Sequence, residues 1–231
     1  LWFSAHNRRK LEMWYWCGVF GELYGSANEG RYVNDVVGMM EWVNDDNSLP
    51  DTVLRSNFHA SRLQQLYTRN SAAYKGVMAL ILKAGAKDFL KGTDMSHATY
   101  TLEYTDIHHI FPQHYCEKKG IDRTRWNSVI NKTPIYARTN RIIGGYAPSQ
   151  YLSSLERNHA ADPIQLNASL TSHQIDVDAI RADDFDTYFI ERQQSLLDLI
   201  ERATGKEVSG REEPQTTMSQ YDIAEMETNE D

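Results

Sequence analysis

Two histidines, His108 and His109, stand side by side in the run TDIHHIFPQHY of residues 105–115. Imidazole titrates near neutral pH, so each ring can take a proton from water or offer a lone pair to a metal ion. An adjacent pair is more often a surface accident than a site, and the pair alone decides nothing. Its surroundings add weight. Residues 117–141 hold seven bases, Lys118, Lys119, Arg123, Arg125, Lys132, Arg138 and Arg141, against only Glu117 and Asp122, a local charge of +5. A field of that sign can guide a phosphate backbone to a site. A solvated surface is the plainer reading if nothing else lies there.

The elements that must position these residues follow from periodicity. Tyr100, Leu102 and Tyr104 alternate with Thr101, Glu103 and Thr105, a period of two that reads as a strand leading into the pair. TPIYA, residues 133–137, is a second short strand. ARTNRIIGG follows as a short helical turn closed by Gly144 and Gly145, and PSQYLSSLERN begins a helix with Pro148 early in it.

Residues 1–92 read as a helical subdomain. HNRRKLEMWYWCGVFGELYG is apolar around most of its circumference, as in a helix buried on several sides. Val33, Val36, Val37, Met40 and Val43 recur at three- and four-residue steps and are expected inside, with Asn34, Asp35 and Glu41 on the other face. Further helices are expected over 59–67 and from an Asn70 or Ser71 N-cap. The second of these places Tyr74, Val77, Met78, Ile81 and Leu82 inward and stops at Gly85. Arg69 and Lys75 near its start can meet a phosphate or simply stay solvated. Residues 158–205 read as a C-terminal helical segment, ambiguous over 160–180. Over 183–203 the helix is clear, with Phe185, Tyr188, Phe189, Leu196, Leu197 and Ile200 inward. Residues 206–231 read as an acidic, disordered tail. The expected class is α+β, mainly α-helical, with the strands confined to residues 93–157.

Strand, loop, strand and short helix, with Asn131 ahead of the second strand and Asn140 on the helix, is an order that resembles the HNH, or ββα-metal, nucleases. The family's elements read here as DIHHIFP, INKTP and RTNRIIGG. More narrowly, RNSAAYKG, DIHHIFP, INKTPI, TNRIIGG and APSQYL are similar to the C-terminal nuclease domain of modification-dependent restriction proteins of the GmrSD and SspE type, over about residues 6–157. The resemblance implies a small ββα-metal core at 93–157 embedded among helices. It also implies a metal-dependent DNA endonuclease or nickase of a phage-defence restriction system.

On that resemblance His109 is the general base that takes a proton from the attacking water. His108 and Asn140 are the metal ligands, and Asn131 holds the base or its loop in place. Lys132, Arg138 and Arg141 beside the motif are expected to grip DNA phosphates. His108 stands where many relatives carry an aspartate, so both protein ligands are neutral. Mg²⁺ would then be held loosely, and Mn²⁺, or Ni²⁺ in vitro, suits the softer imidazole better. Such proteins usually carry an N-terminal ParB-like nucleotidase domain with a DGQQR-type motif, which this sequence lacks. The expected partners are therefore duplex DNA, which can carry modification, and that missing domain.

The adjacency then has a physical sense. Neighbouring side chains on a strand point to opposite faces, which is poor for one shared metal. It suits in-line phosphoryl transfer, where nucleophile and leaving oxygen lie on opposite sides of phosphorus. Two other readings stand beside this one: an inactive DNA-binding or sensing module of the same fold, and a structural partner domain in which the histidines hold Zn²⁺. His114 is either a partner behind the site or an exposed side chain. Trp126 and Cys116 read as packing, and His6, His59, His97, His159 and His173 as structural.

The whole chain has a formal charge of −8, but the distribution is uneven. Residues 206–231 hold eight acids and two bases, a net −6 that leaves about −2 for the body. Cys17 and Cys116 are too few for a disulfide framework. No apolar run reaches the roughly 20 residues of a membrane span, and no secretory leader opens the chain. A cytoplasmic, non-membrane protein is expected. The chain opens on Leu1, as a fragment of something longer would.

Overall fold

The computed structural model describes residues 4–25, 29–95 and 105–212. Helix α1 (Ala5–Phe20) starts where the Ser4 hydroxyl accepts the Asn7 amide hydrogen. Helix α2 (Glu29–Asn44) and the short α3 (Asp51–Arg55) follow. Residues Ala60–Gln65, expected as an α-helix, wind instead as a 3₁₀ turn capped by the His59 ring. Helix α4 (Ala72–Lys83) begins at Ser71, whose hydroxyl accepts from the Tyr74 amide at 3.0 Å, and it buries Tyr74, Val77, Met78 and Ile81 as its periodicity predicts.

Helix α2 turns the opposite way from its valine pattern. Val33 and Val36 are each 64% exposed, while Asp35 is 1% exposed and Met39 and Trp42 are buried. The reason is a polar anchor. The Asp35 carboxylate accepts from the Thr52 hydroxyl at 2.6 Å, from the Thr52 amide at 3.3 Å and from the Tyr24 hydroxyl. A buried carboxylate with three donors repays its desolvation, and Trp42 and Met39, on the same face, supply the apolar contact. The β-branched stripe is left in solvent. Helix α1 likewise exposes Leu11 and Tyr15, so it is buried on fewer sides than its composition suggests.

The strand expected over 100–105 falls mostly on residues outside those described. The described strand β1 (Thr105–His109) carries the histidine pair itself. Helices α5 (Gln113–Lys119) and α6 (Arg123–Trp126) and a 3₁₀ turn (Val129–Asn131) lead to β2 (Lys132–Tyr136), one residue earlier than read. The two strands pair antiparallel, with His109 opposite Lys132, His108 opposite Thr133 and Thr105 opposite Tyr136. Helix α7 (Ala137–Ile143) follows β2 without a loop and ends at Gly144 (φ +58°), a backbone angle that suits glycine. Helix α8 (Pro148–His159) begins with its proline at the first turn, where the missing amide hydrogen has no partner to lose.

The stretch that was ambiguous in sequence forms α9 (Pro163–Ser172) and α10 (Val177–Arg181), each capped by an aspartate, Asp162 and Asp176. Helix α11 (Phe185–Thr204) buries Phe185, Tyr188, Phe189, Leu196, Leu197 and Ile200. It packs on α1, α4 and the 3₁₀ turn before β2. One continuous apolar core joins Phe20 and Ile81 to Phe111, Ile135 and Leu155 and on to Phe189 and Ile200.

The start of the acidic tail departs from the expected disorder. Lys206 donates to the carbonyls of Val53 and Ser56, Val208 is buried, and Arg211 pairs with Asp198 at 2.8 Å and Glu201 at 3.0 Å. A lysine that finds several carbonyls and an arginine between two carboxylates dock this segment despite its polarity. Residues 213–231 lie outside those described.

Candidate active site

The fold holds β1, β2 and α7 from three sides. Asn131, fully buried, accepts the Phe111 amide hydrogen at 2.9 Å and donates to the Phe111 and Trp126 carbonyls. It therefore pins the backbone two residues beyond His109. Arg192, buried in α11, donates to the carbonyls of Ile130, Lys132 and His173. Asp88, in the segment after α4, accepts the Tyr136 amide hydrogen at 3.1 Å and the Thr139 hydroxyl at 2.9 Å. Its carboxylate thus caps α7 from outside, at the helix end where negative charge is favoured. The helix that carries Asn140 is fixed in place by an aspartate about fifty residues upstream (Asp88).

The two histidines diverge as strand geometry requires. His108 is buried, and its Nδ1 lies 2.9 Å from Asn140 Oδ1. The Phe89 and Tyr151 rings meet its imidazole edge-on. Burial pushes its pKa down to about 3, against the opposing pull of the Asn140 hydrogen bond. The Asn140 amide also donates through Nδ2 to Asp106 Oδ2 at 3.2 Å. Asp106 and His108 are two apart on β1 and share a face, so a carboxylate, an imidazole and an amide meet there.

His109 faces the other way, half-buried, with its ring against Trp126 at 5.7 Å and its Nε2 3.3 Å from Asn127 Oδ1. Burial first, and then the charge of Lys132, push its pKa down to about 4. The ring is therefore neutral at pH 7. Because Asn127 Oδ1 accepts, the hydrogen sits on Nε2 and the lone pair on Nδ1. A neutral imidazole with one nitrogen anchored has the form a general base needs.

Of the three bases expected to grip phosphate, Arg138 and Arg141 stand exposed on α7. Lys132 does not. It is buried, its ammonium donating to the Tyr67 carbonyl and lying 5.9 Å over the Tyr74 ring. Every residue of β2 is buried, so neither face offers a lysine a way out to solvent. A carbonyl and an aromatic face compensate its charge inside. Arg125 is also engaged, with Asp186 at 2.7 Å and over the Phe185 and Phe189 rings. Trp126 packs as expected, and His114 is exposed. His173 is structural: its ring bonds Thr133 at 2.6 Å and the Lys87 carbonyl at 2.9 Å. His97 lies outside the described residues.

Sequence reading missed Asp88, Asp106 and Asn127. Asp106 is in the quoted motif, two residues before His108, and the period of two would have placed it on the ligand face. Asn127 and Asp88 carry no pattern, and only tertiary structure brings them in.

The spacing of the site's donor atoms bears on whether it can hold a divalent cation. Bonds of about 2.0–2.1 Å at right angles put neighbouring ligand atoms roughly 3 Å apart, close to the 2.9 Å between His108 Nδ1 and Asn140 Oδ1. His108 Nε2 is buried with no hydrogen-bond partner among the described residues. Moving the hydrogen from Nδ1 to Nε2 to free a ligand nitrogen therefore breaks no second bond. The residues fit a cation. Among the described residues no three His, Cys, Asp or Glu side chains gather as a ligand set.

Comparison with known proteins adds a relative of undefined role. The chain is 34% identical over 150 residues to an uncharacterized protein of Methanocaldococcus jannaschii, MJ0686, a match covering 63% of this chain and 25% of that protein. The chain thus spans about a quarter of the length of the curated relative it matches. No family model matches the chain, and no solved structure does.

Proposed function

We propose that this chain is a metal-dependent DNA endonuclease or nickase domain of the HNH type, hydrolysing phosphodiester bonds for a phage-defence restriction system. One observation carries the reading: His108 meets Asn140 at 2.9 Å across 32 residues of chain, while neutral His109 is held on the opposite face of the same strand. His108 and Asn140 would hold the cation, Mg²⁺ or Mn²⁺, or Ni²⁺ in vitro. When bound, the cation supplies Lewis acidity toward the charge that develops on the leaving 3′ oxygen.

The remaining work falls to the chain itself. His109 takes the proton of the attacking water on Nδ1, and Asn127 keeps the hydrogen on Nε2. Asn131 fixes the backbone that aims the ring. Arg138 and Arg141 bind phosphates and set the register of the duplex. Among the described residues no helix is long and apolar enough to cross a membrane, and DNA is the partner proposed, with a ParB-like nucleotidase domain elsewhere in the full protein.

The test is plasmid nicking with Mg²⁺, Mn²⁺ and Ni²⁺ in turn. Wild type should nick only with a divalent cation, and His109→Ala should slow it about 10²- to 10⁴-fold with DNA binding kept. Salt-sensitive DNA binding without nicking under any of the three metals would favour the inactive binding module instead.

A further inference from the structure

The exchange between Asp106, Asn140 and His108 contains a directional element. A carboxylate only accepts hydrogen bonds, so the Asn140 atom that faces Asp106 at 3.2 Å must be the NH₂ group. The amide oxygen is then turned the other way, toward His108 Nδ1 at 2.9 Å. An amide oxygen binds a cation and an amide NH₂ does not. The orientation of one side chain therefore decides whether a site exists at all.

We infer that Asp106 is the positioning residue of the cation site, holding the Asn140 amide with its oxygen toward His108 and supplying the negative charge that the two neutral ligands lack. The inference rests on reading His108 and Asn140 as cation ligands. It changes what that reading predicts. With two neutral ligands alone, a hard divalent ion would wait for the phosphate of DNA to supply charge. With the Asp106 carboxylate beside them, the free protein binds the ion.

The experiment is Mn²⁺ binding to the free chain by calorimetry and Mn²⁺ electron paramagnetic resonance, with melting temperature as the control for folding. Wild type is expected to bind Mn²⁺ without DNA. Asp106→Asn removes the charge and Asp106→Ala the acceptor as well; both should weaken binding, Asp106→Ala about 10- to 100-fold, the usual loss when a ligand's orienting partner is removed, with Tm unchanged. Asp106→Glu, which keeps both the charge and the acceptor, should keep affinity nearer to wild type than Asp106→Ala, a rescue that a merely structural role would not show. Wild-type affinity in Asp106→Asn overturns the role of Asp106 and leaves the cation site standing. Absence of Mn²⁺ binding by the wild-type chain, with and without duplex DNA, overturns the cation site and this inference together. Binding by wild type only when DNA is present overturns this inference alone.

Discussion

At the scale of the residue, the proposed site would divide work between groups whose environments differ more than their chemistry. His108 and His109 are one peptide bond apart, yet one is sealed between Phe89 and Tyr151 and the other leans on Trp126 beside a buried lysine. Lys132 matters for its charge on His109. Replacing it with methionine removes a cation that disfavours the imidazolium, so the His109 pKa should rise from about 4 toward the free value, as followed by imidazole NMR titration. The same substitution should change DNA affinity less than Arg138→Ala or Arg141→Ala, measured from the salt dependence of binding. Asn131→Ala strands the Phe111 amide and the Trp126 carbonyl in a fully buried place and leaves the Phe111 carbonyl only the Cys116 thiol. Each stranded group costs about 1–3 kcal/mol, so a large drop in Tm is expected. The pair His108–His109 and the amides of Asn131 and Asn140 were legible in sequence because they fall in a recognisable order. The inward turn of Lys132 was not, because β2 is buried along its whole length and shows no alternation to read.

At the scale of the element, a stripe of valines lost to one aspartate. Periodicity locates α2 and its amphipathic character, and it misassigns the face, because hydropathy cannot register that Thr52 and Tyr24 wait to satisfy Asp35. The expected outcome is plain. Val36→Asp should leave stability within about 0.5 kcal/mol, as surface changes do, and Met39→Ala should cost about 2–5 kcal/mol, both read from urea denaturation. The reverse ranking would restore the valine face to the core. Other elements were legible from their ends: Ser71 for α4, Pro148 for α8 and Gly144 for the end of α7. The capping of α7 by Asp88 was not legible, since it joins segments about fifty residues apart.

At the scale of the whole molecule, three imidazoles are held neutral, His108 and His173 inside the core and His109 half-buried at its edge. His108, His109 and His173 have pKa values of about 3, 4 and 3, each lowered chiefly by burial. Between their ordinary value near 6.5 and those lowered values, the unfolded chain binds protons that the folded chain refuses. Their contribution to stability is thus complete above about pH 6.5 and is lost as pH falls toward 4. Melting temperature should fall steadily over that interval, and His173→Gln should flatten the slope. The tail's first residues add anchors that composition hides, and Lys206→Met or Arg211→Ala should each lower Tm. The central claim, that one histidine serves the leaving oxygen and its neighbour the attacking water, meets its most direct test in single-turnover cleavage of DNA with a sulfur in place of the leaving 3′ oxygen. Thiolate leaves without help, so His108→Ala and Asn140→Ala should recover most of their lost rate on that substrate while His109→Ala stays slow. Equal recovery by all three variants, or none by the ligand variants, would contradict the division of labour.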